Sequence, residues 1–156
     1  MQMHFISGLP RSGSTLLASV LRQNPEFSAS IMSPVGRIFT DVVTAMGSSN
    51  EADSFITNAH RERVARALFS SFYADKFEEG VKVVFDNNRR WCANAALLDV
   101  IYPDSKIICC VRSPAAIVDS FERLFRANPF ALSVIYGGVS NLTVYERTMT
   151  ELPRPR

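Results

Sequence analysis

Residues 5–17 read FISGLPRSGSTLL, and this run constrains the chain more than any other. A short apolar segment passes directly into a loop of Gly, Pro, Arg and Ser. The loop opens onto apolar positions at Leu16, Leu17, Val20 and Leu21, which have helical spacing. Strand, loop, helix is the simplest reading. A helix N-terminus exposes unpaired N–H groups and the positive end of its dipole, so a glycine-containing loop feeding one is a cradle for an anion.

The same grammar recurs along the chain. Residues 4–7, 81–85 and 106–111 are short apolar runs that read as buried parallel strands, the last with IICCV at its heart. Residues 27–33 stand open between strand and loop. Asn24-Pro25 ends the first helix, and a second is expected over 35–46 with Ser33 as cap and Pro34 in its first turn. After the break at 47–50, a long helix is expected over 54–77, with Phe55, Ile56, Ala59, Val64, Leu68, Phe69 and Phe72 inward. Helices over 91–102 and 114–126 follow, the first with Ala95, Leu98 and Ile101 inward, the second with Ile117, Val118, Phe121, Leu124 and Phe125 inward. Residues 130–149 are split by Gly137-Gly138, and the closing LPRPR reads as a tail. Short apolar strands alternating with helices give a three-layer α/β fold, a parallel sheet flanked by helices on both faces. Ligands of such sheets sit at the carboxyl ends of the strands, where residues 8–15, residues 86–90 and Arg112-Ser113 all fall.

The 156 residues fit one domain, 1–156, and 47% hydrophobic content is enough for a core. A net charge of +2 argues against a general nucleic-acid binder. Cys92, Cys109 and Cys110 are odd in number, and two lie in an apolar run, so buried free thiols in a reducing compartment are expected. No Cys/His spacing resembles a zinc site, and no metal is expected. The N-terminal apolar segment is too short for an export signal and is interrupted by Arg11, and no apolar run approaches the ~20 residues that span a bilayer. The expectation is a soluble, cytoplasmic protein with no membrane partner.

Gly8 to Thr15 fits the Walker frame with one failure, because Ser14 stands where the frame has Lys. That Lys bridges the β- and γ-phosphates in nucleoside triphosphate hydrolysis, so a P-loop kinase or NTPase is the weaker alternative. The loop keeps backbone donors, the hydroxyls of Ser12, Ser14 and Thr15, and a cation, Arg11, three places before Ser14.

PRSGST, Pro10 through Thr15, resembles the 5′-phosphosulfate loop of the sulfotransferase family, which uses 3′-phosphoadenosine-5′-phosphosulfate (PAPS). In that loop Pro is followed by Lys or Arg, Ser or Thr, Gly, and two further Ser or Thr. Arg at the second place is similar to tyrosylprotein sulfotransferases and many bacterial members. A second motif, the strand IICCV running into Arg112-Ser113-Pro114 with Ser120 eight residues after Arg112, resembles the family's 3′-phosphate site. The resemblance covers residues 3–127 and implies a P-loop-like sulfotransferase fold.

It also implies transfer of a sulfuryl group from PAPS to an acceptor hydroxyl or amine, the acceptor being a small molecule or a peptide. Cofactor binding falls to Arg11, Ser12, Gly13, Ser14, Thr15, Arg112 and Ser120, with Arg11 also stabilising charge in the transition state. Arg112 can fork onto a phosphate and Ser120 can add a hydroxyl. Relatives often supply a Glu or His base shortly after the first helix, where this chain reads SASIMSPVGRIF. Asp86 is the candidate base at the correct sheet edge, with Arg89 or Arg90 in place of the family's Lys after the middle strand. Asp41 and His60 read as solvated helix residues. Members usually run about a hundred residues beyond the 3′-phosphate site, so the chain is expected to be short for the family. A non-catalytic PAPS-binding module, and a homodimer that completes the site, therefore stay open.

Overall fold

The computed structural model describes residues 2–47 and 51–127. The expectations for 130–149 and for the tail lie outside them. The chain divides into two compact units between Val111 and Arg112, and each is described by itself.

In the first unit four strands, β1 (Gln2–Gly8), β2 (Phe27–Ala29), β3 (Val83–Asn87) and β4 (Ile107–Cys110), form a sheet in the order β2-β3-β1-β4. Every pairing is parallel, so all four carboxyl ends lie along one edge. The three strands expected from apolar runs are present, and the open segment after Pro25 supplies the fourth.

Side-chain alternation divides the sheet into two faces. Met3, Phe5 and Val84 point to one face, where they pack with α2 (Val35–Ala45), α3 (Asn58–Phe72) and α5 (Ala95–Ile101) through Val35, Phe39, Ala65, Phe69, Leu98 and Ile101. Trp91, fully buried, fills the centre of this layer, its ring 5.1 Å from that of Phe5 and 5.7 Å from that of Phe39. Ile6 and Phe85 point to the other face and pack with Ala18 of α1 (Ser14–Leu21). Helices thus cover both faces of the parallel sheet.

Three local expectations are corrected. The long helix over 54–77 is instead a 3-10 turn (Glu51–Phe55), α3, and a short α4 (Ala74–Glu78). Thr57 starts α3 with a capping box, its hydroxyl accepting from His60 N–H at 3.2 Å while His60 Nδ1 accepts from Thr57 N–H at 3.3 Å. Tyr73 stands at the break between α3 and α4, and its side chain turns inward to the buried Asp86. Phe55 is 83% exposed, and the inward face is Ala65, Phe69 and Tyr73, with Leu68 packed against that core as expected. In α1 the buried stripe runs through Leu17, Ala18 and Leu21, leaving Leu16 and Val20 on the outside. The cysteines are free, but Cys92 and Cys109 are exposed and Cys110 half-buried. Cys109 shares the face of Ile107 at the end of β4, and only Cys110 packs into the layer under α1. Ser33, as expected, accepts from Val35 N–H at 3.0 Å as α2 begins.

The second unit contains α6 (Pro114–Ala127), with proline in the first turn as expected. Ile117 and Phe121 are buried, with Phe125 packed against them, a stripe of four-residue steps. Leu124, expected inward, is 45% exposed.

Candidate active site

The loop between β1 and α1 is built from one tight turn and two left-handed residues. Ser12 N–H donates to Leu9 O at 3.1 Å, closing a turn with Pro10 at its second position and Arg11 at its third. Arg11 has φ 66°, the only positive φ outside glycine among the described residues. Proline before a left-handed residue is the signature of a type II turn, in which glycine is usual at the third position. Arg11 therefore bears strain of about 1–2 kcal/mol, a kind that concentrates at functional sites. Gly13 follows with φ 106° and forms the N-cap of α1. It has no side chain to cap with, and the first turn of α1 contains no acid, so neither a side-chain cap nor a first-turn carboxylate neutralises that helix end.

Two further observations fit an oxyanion. Ser12 Oγ is sealed from solvent and has no hydrogen-bond partner among the described residues; a buried hydroxyl left so is destabilising by about 1–3 kcal/mol until something pairs with it. The loop also folds back tightly on its own base. A Cβ on Gly8 would stand 2.5 Å from Ser12 Oγ and 2.7 Å from the carbonyl of Cys110, so only glycine lets β1 turn beneath Ser12. Ser14 and Thr15 open α1, bringing their hydroxyls to the same helix end.

The second cluster lies at the end of β3. Asp86 and Asn87 are its last residues, and Asn88 N–H donates to Ile6 O at 3.0 Å. The asparagines act as clamps on the segment after β2. Asn87 Nδ2 donates to Ile31 O and Asn88 Nδ2 to Ser33 O, both at 2.8 Å. Asn88 lies so close to α2 that a Cβ on Gly36 would stand 2.4 Å from its Cγ. The sequence singled out Asp86, Arg89 and Arg90 here but not Asn87 and Asn88; asparagine is common in turns, so nothing in the residue types distinguished the clamp.

Asp86 is fully buried. Its Oδ2 accepts from the Tyr73 hydroxyl at 2.5 Å and its Oδ1 from Trp91 Nε1 at 2.8 Å. Burial pushes its carboxyl above the ordinary value of 3.8, against the pull of the Tyr73, Ser33 and Trp91 hydrogen bonds. Burial, then the neighbouring carboxylate, likewise drive the Tyr73 phenol far up. The residue singled out as a base thus faces the core with both oxygens engaged. Arg89 is exposed and Arg90 half-buried, and the Arg89 carbonyl accepts from Ser7 Oγ at 3.1 Å. Asp41 is solvated beside Arg37 at 3.6 Å, and His60 is exposed at its cap, as expected of both.

In the second unit, Arg112 is exposed and precedes α6, and Ser120 is half-buried within that helix. Asp119 beside Ser120 is held below the usual carboxylate range, first by its hydrogen bond to Arg123 and then by the charges of Arg112 and Arg126.

A family model described as the sulfotransferase family matches residues 4–154, nearly the whole chain. The chain belongs to the sulfotransferase family. This sulfotransferase-family chain is also similar to the nodulation protein NoeE of Sinorhizobium fredii (strain NBRC 101917 / NGR234), with 29% identity over 129 residues, covering 76% of this chain. The match spans 30% of that protein's length. Among the described residues no group of three or more His, Cys, Asp or Glu could hold a metal, and no helix is long and apolar enough to cross a membrane.

Proposed function

We propose that the chain binds PAPS and catalyses transfer of its sulfuryl group to an acceptor hydroxyl or amine on a small molecule or peptide. The observation that carries this reading is the loop at the end of β1. It combines an uncapped helix N-terminus, an orphaned Ser12 hydroxyl and a nearby cation, with Ser14 where magnesium-nucleotide chemistry places Lys. The bound donor supplies the sulfuryl group.

The chain's own residues supply the electrostatics. The N–H groups of Gly13, Ser14 and Thr15 and the hydroxyls of Ser12, Ser14 and Thr15 hold the 5′-phosphosulfate oxygens. Arg11 lies against the oxygen on which charge grows as the sulfur–oxygen bond breaks, and donors fixed in advance need no reorganisation at that moment. Arg112 and Ser120 take the 3′-phosphate, an assignment supported by their spacing in the sequence. Asp86 in this reading is a positioning residue that sets the end of β3, and Arg89 or Arg90 provides the further cation.

The free cysteines support a cytoplasmic location, and a homodimer is the assembly we propose for completing the acceptor side. A second reading, a module that binds PAPS without transfer, is favoured by the engagement of both Asp86 oxygens.

Transfer of radiolabelled sulfate from PAPS to a panel of alcohols, phenols, amines and tyrosine peptides tests the reading. Product formation that disappears in Arg11→Ala supports it. Calorimetric binding of 3′-phosphoadenosine 5′-phosphate without any transfer selects the module. Tighter, magnesium-dependent binding of ATP overturns both.

A further inference from the structure

Ser7 is fully buried at the end of β1, one residue before the loop. It joins two segments that are distant in sequence. Its hydroxyl donates to Arg89 O at 3.1 Å and accepts from Cys92 N–H at 3.3 Å. In the ladder Ser7 stands opposite Cys109. Residues opposite one another in a parallel pair project to the same face, so Cys109 leaves β4 on the side where Cys92 is held. Cys110, opposite Gly8, projects to the other face and packs beneath α1. The Cys109 thiol is hydrogen-bonded to Cys92. Both cysteines are exposed, so a small oxidant reaches them.

We propose that Cys92 and Cys109 are a redox couple that closes to a disulfide on exposure to hydrogen peroxide and reopens with a dithiol reductant. The Cys92 thiolate attacks the peroxide O–O bond, forming a sulfenic acid and releasing hydroxide, which takes a proton from solvent. Cys109 then attacks the sulfenic sulfur. Its S–S bond forms as the S–O bond breaks, and its proton leaves with the departing hydroxide as water. The two sulfurs lose two electrons to the peroxide oxygens, and one peroxide yields two waters. The hydrogen bond to Cys92, and then that sulfur's charge, raise the Cys109 thiol above its ordinary value, in keeping with its role as the second, protonated member. The cross-link would fasten the connection carrying Arg89 and Arg90 to the end of β4, beside the base of the loop. The proposal does not depend on the identity of the donor nucleotide.

The test uses the full chain treated with hydrogen peroxide, quenched by alkylation in denaturant and mapped with trypsin. Free thiols should fall from three to one, and peptide 91–106 should appear joined to peptide 107–112 and separate with dithiothreitol. Cys110→Ser should lose both of its thiols, whereas Cys92→Ser should form no cross-link between these peptides within a chain. Three thiols persisting at peroxide doses that oxidise a free model dithiol would overturn the proposal. So would a disulfide confined to peptide 107–112, a cross-link found only between two chains, or unchanged thiol loss in Cys92→Ser. The wild-type map needs no variant to fold.

Discussion

Replacing Asp86 by alanine separates a positioning carboxylate from a catalytic one. The substitution leaves two buried donors, the Tyr73 hydroxyl and Trp91 Nε1, aimed at an apolar void. Each unpaired buried donor destabilises by about 1–3 kcal/mol, so the pair accounts for roughly 2–6 kcal/mol. A domain holds only about 5–15 kcal/mol in total, so a large share would be lost. Asp86→Asn is the milder partner. Its carbonyl still accepts from Trp91, and its amide faces Tyr73, whose hydroxyl can accept while turning its proton toward Ser33 or Ser30. The loss expected there is about 1–2 kcal/mol.

The two substitutions also differ from wild type in pH dependence. The folded carboxyl titrates above its ordinary 3.8 because burial disfavours the charge. Between that ordinary value and the raised one, the folded protein holds a proton that the unfolded chain has released. Wild-type stability therefore falls as pH rises through this window, an effect present in neither variant. Urea unfolding across weakly acidic to neutral pH, followed by Trp91 fluorescence, measures both effects, with a lowered midpoint at unchanged slope as the expected signature. Asp86→Ala unfolding within about 0.5 kcal/mol of wild type, with transfer abolished, would refute the positioning role and restore Asp86 as a base.

Other substitutions probe the loop and its supports. Arg11→Gly and Arg11→Ala both remove the cation and should both abolish transfer, but Arg11→Gly should be more stable by about 0.5–1 kcal/mol, because only glycine relaxes the left-handed backbone; thermal melts of the pair decide it. Gly36→Ala should destabilise by about 1–3 kcal/mol in urea, since Asn88 is held by Ser33 O and by Arg90 N–H and has nowhere to yield. Thr57→Ala should cost about 1 kcal/mol through loss of the α3 cap, read as a lower melting temperature with nucleotide binding intact. Arg112→Ala should weaken 3′-phosphoadenosine 5′-phosphate by about 1.5–3 kcal/mol and leave affinity for the 5′-phosphosulfate end alone unchanged; equal losses with and without the 3′-phosphate would remove its assigned role.

What the sequence revealed follows from the range over which each residue acts. IICCV and VVF are short apolar runs bounded by polar residues, and that local pattern was enough to place β4 and β3. The loop was legible because its glycines, proline and hydroxyls act on their immediate neighbours. Several of the failures depend on a distant partner. Tyr73, the residue that follows α3, gives its hydroxyl to Asp86, thirteen residues on, and no helical periodicity carries that information. The burial of Asp86 between Tyr73 and Trp91 likewise has no signal in the residues beside it. Cys109, inside an apolar run, reads as buried until the ladder sets it opposite Ser7 and within reach of Cys92. Arg11's φ was equally invisible, since the strain comes from the third position of the turn that Leu9 opens and Ser12 closes.

β1 is flanked on both sides, by β3 and by β4, and its central residues Phe5 and Ile6 have no solvent exposure. Its amide protons should therefore be among the slowest in the chain to exchange with deuterium, released only when the sheet opens as a whole. The loop that begins at Gly8 thus has a stem as durable as the fold itself and a tip at Leu9 to Arg11 that faces water. A ligand arriving at that tip meets donors whose backbone is already fixed, so little of its binding free energy is consumed in ordering the protein.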